Sequence, residues 1–432
     1  VGAHRRGAGP HQRRPPGRGD PLTPISVEAY LGGILAAVRP LEPSERALAD
    51  SLGLVLTEAV ISSVDLPGFD NSAMDGYAVV ASDVAGASAD APVRLPVLGD
   101  VAAGDTTAYD LGAGSCRRIM TGAPVPAGAD AVVPVELTDG GVDAVQVREP
   151  VAAGNAIRRA GEDVRAGDLV LPAGTRLLPH HVAAASAAGA ATVRVRPAPR
   201  VAVITTGDEL VPVGEPLQYG QIHDSNGPML RAAVLASGAV CAAVVHVGDR
   251  DAEPLADVVL RLAEQADAVV TSGGISAGAY EPVKEAFSSG ADVRFETVAM
   301  QPGKPQAFGL VGERRVPLFG LPGNPVSSLV SFETFVAPAL RVMAGRAGGP
   351  AGLRATVTRG WRSPANKLQV ARVVLTRSGD DWCVEPSGAQ GSHILGGLAC
   401  ANAVALVPPD VTQVREGDWM DVRLLPGEEL PA

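Results

Sequence analysis

Aromatic residues are scarce in this chain of 432 residues, at 3% of the total. That leaves little material for base-stacking platforms, and the net charge of -11 supplies no basic face for a nucleic-acid backbone. No nucleic-acid partner is expected. Cysteine is equally thin: Cys116, Cys241, Cys383 and Cys400 form no CxxC pair, and no histidines gather beside them. Neither a structural zinc site nor a disulfide framework is expected on that spacing, and four ordinary thiols point to a reducing compartment. No apolar run reaches the length of a bilayer span, so no membrane association is expected. Residues 1–21 are rich in Arg, Gly and Pro and lack the apolar stretch of a secretory signal, which predicts a disordered tail and a cytoplasmic location.

What is present is a globular composition, 46% hydrophobic and 19% charged, too long for one core. SVEAYLGGILAAV (26–38) repeats apolar residues at helical spacing behind Ser26, a helix start signal. A second helix is expected over about 44–52. Short β runs broken by Gly, Pro and Asp follow, among them 77–80, 93–98 and 131–136. Hairpin signals in DVRAGDLVLPAGTRLL then lead to an Ala-rich helix ending near Gly189. The adjoining pair His180 and His181 reads as surface or packing residues.

From about residue 200 the pattern changes. VAVITT, VCAAVVHV, DAVVTS and VPLFGL are apolar strands that alternate with helices, one of them capped by Asp224, Ser225 and Asn226. The long segment PVSSLVSFETFVAPALRVM reads as a further helix. Buried apolar strands between amphipathic helices indicate a doubly wound parallel α/β sheet. After residue 348 short strands return, which predicts a small β-barrel or sandwich. The expected domains are therefore a tail (1–21), a discontinuous mixed domain (22–66 plus 152–198), an inserted β-rich domain (67–151), the α/β domain (199–347) and the C-terminal β-barrel (348–432).

In an open parallel sheet, ligands bind beyond the carboxyl ends of the strands. Three strands here run into conspicuous loops: Gly207-Asp208-Glu209, Gly273-Gly274-Ile275-Ser276-Ala277-Gly278 and Pro322-Gly323-Asn324-Pro325. Glycines let backbone amides approach an anion, Ser272 and Ser276 add hydroxyls, and the last loop opens a helix whose first amides lack partners. Together they describe a floor for phosphate or another oxyanion. Asp208, Glu209, Asp249 and Glu281 share that rim. Carboxylates beside an anion repel it unless a cation intervenes, and Mg2+ is suited because it takes oxygen ligands alongside phosphate. Asp208 reads as a turn residue as readily as a ligand, and Asp249 as readily as a cap. Lys304, between Gly303 and Pro305 on a stiff loop, reads as a phosphate contact. The run from Asp70 to Asp75 holds two acids, an amide and a hydroxyl, and by itself reads as a turn.

These segments, together with RIMTGAPVPAGADAVV, RRAGEDVRAGD, HDSN and GSHILGGLACANA, resemble the MoeA family, whose eukaryotic counterpart is the C-terminal domain of gephyrin. The motifs stand in family order across nearly the whole chain. The resemblance implies a four-domain subunit that forms a homodimer. Its site combines the α/β and C-terminal domains of one subunit with the FDNSAMDGYAV domain of the other. The implied reaction inserts molybdate into adenylylated molybdopterin, with release of AMP and a requirement for Mg2+. An upstream molybdopterin adenylyltransferase would be a partner.

Carried over by position, the resemblance marks Thr121, Glu209, Asp249 and Glu281 as catalytic, with Asp70 and Asp75 as further acids. It places Asp249 and Glu281 at the metal. Ser272, Gly273, Gly274, Ser276, Gly278, Lys304, Pro322, Gly323, Asn324, Pro325, Ser327 and Asp163 become substrate-binding. Glu281 is a departure, since many relatives carry Asp there. Two other readings stand beside this one: adenylyl transfer to molybdopterin by the α/β domain, and a non-catalytic binding or scaffold role. The flanking domains weigh against the first, and the acidic positions against the second.

Overall fold

The computed structural model describes residues 24–248, 251, 253–276, 281–288, 292–346 and 352–431. The chain divides into two compact units, Pro43–Arg196, and Val1–Glu42 together with Pro197–Ala432.

The Pro43–Arg196 unit is mainly β. Its largest sheet has five strands in the order Ala131–Pro134, Gly76–Val79, Cys116–Ile119, Val93–Val101 and Ala144–Val147. Tyr77, Val79, Cys116, Val133 and Val145 are buried together on one side of it. The helix expected over 44–52 does not form. Ser44–Ala47 is a strand paired antiparallel with Thr192–Arg196, and a single 3-10 turn, Leu48–Asp50, follows. Leu48 is the only buried apolar side chain in the 44–50 segment, too little for a helical stripe, so the long-range ladder prevails. The Ala-rich helix is Pro179–Ala187, with His180 exposed and His181 half-buried at its start.

In the other unit, Arg200–Thr206, Val240–Val247, Ala268–Ser272 and Val316–Leu321 form the expected parallel sheet. Two strands absent from the sequence reading, Pro305–Val311 and Val293–Thr297, extend it antiparallel, so the sheet is mixed. Alternation along the strands sorts side chains between two cores. Val201 and Val203 face a cluster that includes Leu230, Val326 and Phe335. Ala202 and Ile204 face one that includes Val259, Leu262 and Val283.

The first helix, Val27–Ala37, is capped as expected: the Ser26 hydroxyl accepts from the Ala29 amide at 3.1 Å. Its buried face joins the α/β core, and Tyr30 meets Phe335 edge-on at 4.9 Å, a pairing worth about 1 kcal/mol beyond burial. The helix thus falls in the same compact unit as the α/β sheet.

Pro325–Met343 is helical throughout and is the one described helix long and apolar enough to cross a bilayer. It is a core helix, burying Val326, Val330, Phe332, Phe335, Val336 and Leu340. Its middle widens into a π-turn, Phe332–Val336, where the Ala337 amide reaches back to the Phe332 carbonyl. Pro338 has no amide hydrogen to give Thr334, which explains the lost regular bond.

The C-terminal strands Leu353–Val357, Leu368–Ser378, Asp381–Pro386, Ala403–Val407 and Trp419–Leu424 close into a barrel. The Leu368–Ser378 strand pairs with both Asp381–Pro386 and Ala403–Val407, and that second ladder completes the ring. Val357, Val373, Leu375, Val384, Val407 and Val422 fill it.

Candidate functional site

The parallel strands end together at Thr206, Val247, Ser272 and Leu321. Beyond that edge lies a cleft of about 660 Å³. Three loops expected from the sequence line it, contributing Gly207 and Glu209, then Ser272 to Ser276, then Pro322 to Pro325 with Ser327. Glu281 and Lys304 also line it. Twelve of the expected positions thus come together in one place.

The Gly-Gly turn is required by geometry. Gly273 and Gly274 have φ of +96° and +70°, where side chains are strained. A Cβ on Gly273 would stand 2.7 Å from the Thr206 hydroxyl, and one on Gly274 would stand 3.0 Å from Val283. The Ser276 amide donates to Oε2 of Glu281 at 2.7 Å, folding the loop back toward the short helix Pro282–Phe287. Glu209 curls toward Gly207, and its carboxylate lies 2.4 Å from where a Cβ there would be.

The third loop opens the helix Pro325–Met343. Its N-cap, Asn324, does not cap: the side-chain amide donates instead to the Ser392 hydroxyl at 3.0 Å. The first-turn amides therefore have no side-chain acceptor from the usual position, and such amides attract anions.

Lys304 follows Gly303, whose φ is +99°. Buried Gln306 holds this loop by donating to the Gly303 carbonyl at 2.7 Å and to the Ser331 hydroxyl at 2.6 Å. Met300–Gln301, just before the loop, pairs in parallel with Leu368 and Gln369 of the barrel. That ladder brings in Lys367, a second cation in the lining.

The barrel also sends Gln390 and Ser392 into the cleft. Their loop is fastened by Arg372, buried to 1% exposure, whose guanidinium donates to the Ala389 and Gly391 carbonyls. Gln390 Oε1 accepts from the Arg372 amide at 2.9 Å.

Four residues were not singled out in advance. Asn226 lay within HDSN but was read only as a cap. The cap is Asp224, which accepts from the Gly227 amide at 2.9 Å. Ser392 lies within GSHILGGLACANA but has no role assigned from it, and Lys367 and Gln390 carry no local signal, because only barrel closure brings them here.

Asp249 and Gly278 lie outside the described residues. Asp208 is exposed, with a carboxylate oxygen 3.0 Å from a Cβ position on Gly248. Asp251 accepts from the Gly248 amide at 2.7 Å, a turn contact. Among the described residues no cluster of three His, Cys, Asp or Glu side chains could hold a metal by itself.

Thr121, Asp70, Asp75 and Asp163 belong to the Pro43–Arg196 unit. Asp75 accepts from the Thr121 amide and hydroxyl at 2.7 and 2.8 Å, and these bonds hold its carboxyl below the usual range. Asp70 accepts from the Ala160 amide at 2.8 Å and pairs with Arg159 at 2.6 Å, with the same effect. Asp163 is exposed, and its amide donates to the Leu66 carbonyl.

Three family models match the chain in order: the MoeA N-terminal region (domain I and II) over residues 25–189, a probable molybdopterin binding domain over 202–342, and the MoeA C-terminal region (domain IV) over 354–425. Molybdopterin molybdenumtransferase 2 of Mycobacterium tuberculosis is 45% identical over 408 residues, covering 92% of this chain and 98% of the relative. Molybdopterin molybdenumtransferase 1 of the same organism is 37% identical over 426 residues, covering 93% and 99%. A crystal structure of the molybdopterin biosynthesis MoeA protein from Pyrococcus horikosii superposes with a TM-score of 0.77 at 31% identity, over 94% of this chain and all of the other.

Proposed function

This chain belongs to the MoeA family, and from that membership we infer that it is a transferase of molybdenum cofactor biosynthesis that inserts molybdate into molybdopterin. The observation that carries the site assignment is the convergence of three carboxyl-edge loops with Lys304 and Lys367 in one cleft. Both substrates are anions, so bringing them together is the main electrostatic obstacle. A cradle of fixed amides and two ammonium groups meets it by charge and by positioning.

The pterin substrate is adenylylated, and AMP is the leaving group. The Gly273-Gly274 turn and the start of the Pro325–Met343 helix bind phosphate oxygens. Lys304 and Lys367 neutralise charge where molybdate enters. A molybdate oxygen attacks the adenylyl phosphorus, and the phosphoanhydride bond breaks with its bridging oxygen left on the pterin phosphate. The two dithiolene thiols then bind molybdenum as two Mo–O bonds break, one oxygen leaving on AMP and the other leaving as water with the two thiol protons. Glu209 and Glu281 are the acids of the reaction. They offer the oxygen donors that Mg2+ prefers, and with no three-ligand cluster among the described residues the ion would rest on one or two carboxylates and on substrate. Glu281 would hold it, with Asp249. When bound, it supplies charge screening at the phosphates.

The working unit is a homodimer in which the partner subunit brings the Asp75 and Thr121 pair, with Asp70 and Asp163, to this cleft. An adenylyltransferase acts upstream. Four cysteines without disulfides fit a reducing cytoplasm.

The test is direct. Adenylylated molybdopterin with Mg2+ should release AMP only when molybdate is added, and Glu209→Gln or Glu281→Gln should fold normally yet lose that release. Formation of adenylylated product from molybdopterin and ATP would establish the upstream activity instead, and full turnover by a variant would remove that residue from the chemistry.

A further inference from the structure

We propose that Asn226 is the positioning residue that locks the anion cradle into shape; the inference rests on the function proposed above. Asn226 opens the helix Asn226–Ala236 and is only 8% exposed, yet it lines the cleft. Its amide nitrogen gives both hydrogens away. One goes to the Ser272 hydroxyl at 2.9 Å, at the end of one sheet strand. The other goes to the Gly323 carbonyl at 2.7 Å, in the loop after another. A single side chain thus ties two ligand loops to a third element.

The bonds also set a direction. By occupying a lone pair on Ser272, Asn226 turns the single hydroxyl proton of Ser272 onward, to the Pro322 carbonyl at 3.3 Å or to Ser328 at 3.2 Å. Ser272 and Ser328 are both buried. The loops being tied contain Gly273, Gly274 and Gly323, residues with the widest backbone freedom. Without a clamp their amides would reorient for each anion rather than await it.

The residue type fits this task and no cheaper one. Only a side chain with two hydrogens on one nitrogen serves two acceptors at once; a hydroxyl has one hydrogen and a carboxylate none. The choice has a cost. Oδ1 of Asn226 is buried and meets no hydrogen-bonding partner among the described residues, and such orphans weaken a fold. A side chain kept for stability alone would not carry one.

The test uses full-length protein, with AMP and molybdate as calorimetric probes. Asn226→Ala should weaken AMP binding about tenfold, while the melting temperature stays within a few degrees because the orphan acceptor leaves with the side chain. Asn226→Asp, which keeps that acceptor and sets a carboxylate oxygen against the Gly323 carbonyl, should weaken binding further and lower the melting temperature. In turnover, KM for adenylylated molybdopterin should rise by a similar factor with kcat changed less than twofold, the mark of lost ground-state positioning. Ser272→Ala should do the same, and the double variant should be no worse than either single one. AMP binding within twofold of wild type in both Asn226 variants, or additive losses in the double variant, overturns the clamp alone. A wild-type protein that binds neither AMP nor molybdate overturns the proposed function, and the clamp with it.

Discussion

Asp75 and Thr121 are joined twice, the carboxylate of one accepting both the amide and the hydroxyl hydrogen of the other. The two residues come from motifs 46 positions apart, brought together by the pairing of Gly76–Val79 with Cys116–Ile119. The amide is the larger cause of the lowered carboxyl pKa, the hydroxyl the second. Thr121→Val removes only the hydroxyl, so the Asp75 pKa should rise part of the way toward its ordinary value. Because a depressed carboxyl stabilises above its unfolded pKa and loses that contribution on acidification, the variant should lose it at a higher pH. Carbon-detected NMR titration of the carboxyl reads this; an unmoved Asp75 would show that the hydroxyl bond is idle.

Gly273→Ala places a methyl 2.7 Å from the Thr206 hydroxyl in a backbone region closed to side chains. Stability should fall by about 1–3 kcal/mol, and AMP binding should drop further than stability explains, since the turn must shift to relieve the clash. Urea unfolding and calorimetry on the same sample separate the two effects.

Glu333 sits in the π-turn, where burial pushes its carboxyl up to about 7 and leaves Oε1 without a partner among the described residues. A raised acid keeps its proton in the folded state at a pH where the unfolded chain has released it. The penalty is absent below about pH 4, grows up to about 7, and is constant above. At about 1.4 kcal/mol per pH unit its ceiling is about 3 kcal/mol. Glu333→Gln should match the parent at pH 4 and be more stable at pH 8 by denaturant midpoint. Equal midpoints at both would mean that the carboxyl is solvated.

Arg372 has carbonyl oxygens as its side-chain hydrogen-bond acceptors, and burial lowers its pKa. Arg372→Met keeps the bulk and removes the donors. Global stability should drop by about 1–3 kcal/mol, the range for stranding buried acceptors, partly offset because a buried charge is also removed. Hydrogen exchange across 387–392 should quicken and molybdate binding weaken. Unchanged exchange there would show that Gln390 alone secures the loop.

Much of the fold was legible where the signal is local. Three of the four apolar strands of the α/β sheet are buried on both faces, the edge strand Val240–Val247 being the exception, and Ser26 caps its helix as its position suggests. The cleft loops were legible because glycine and helix-start chemistry repeat at one sheet edge. What escaped depends on distant partners. SERA at 44–47 becomes a strand only because residues 192–195 arrive beside it. Pro305–Val311 lacks strict alternation and finds its place beside Val316–Leu321, and the five-residue Val293–Thr297, too short for its alternation to stand out, pairs in turn with Pro305–Val311. Lys367 enters the cleft through a two-residue ladder that no spacing announces.

That short ladder, Met300–Gln301 beside Leu368–Gln369, has a mechanical consequence. It tethers the peptides leading to Lys304 and from Lys367, so the interval between the two ammonium groups is anchored at its root. A barrel swinging outward like a jaw would break the tether before the entrance widened. The seam between barrel and sheet is thus held at this point by main chain and not by side chains alone.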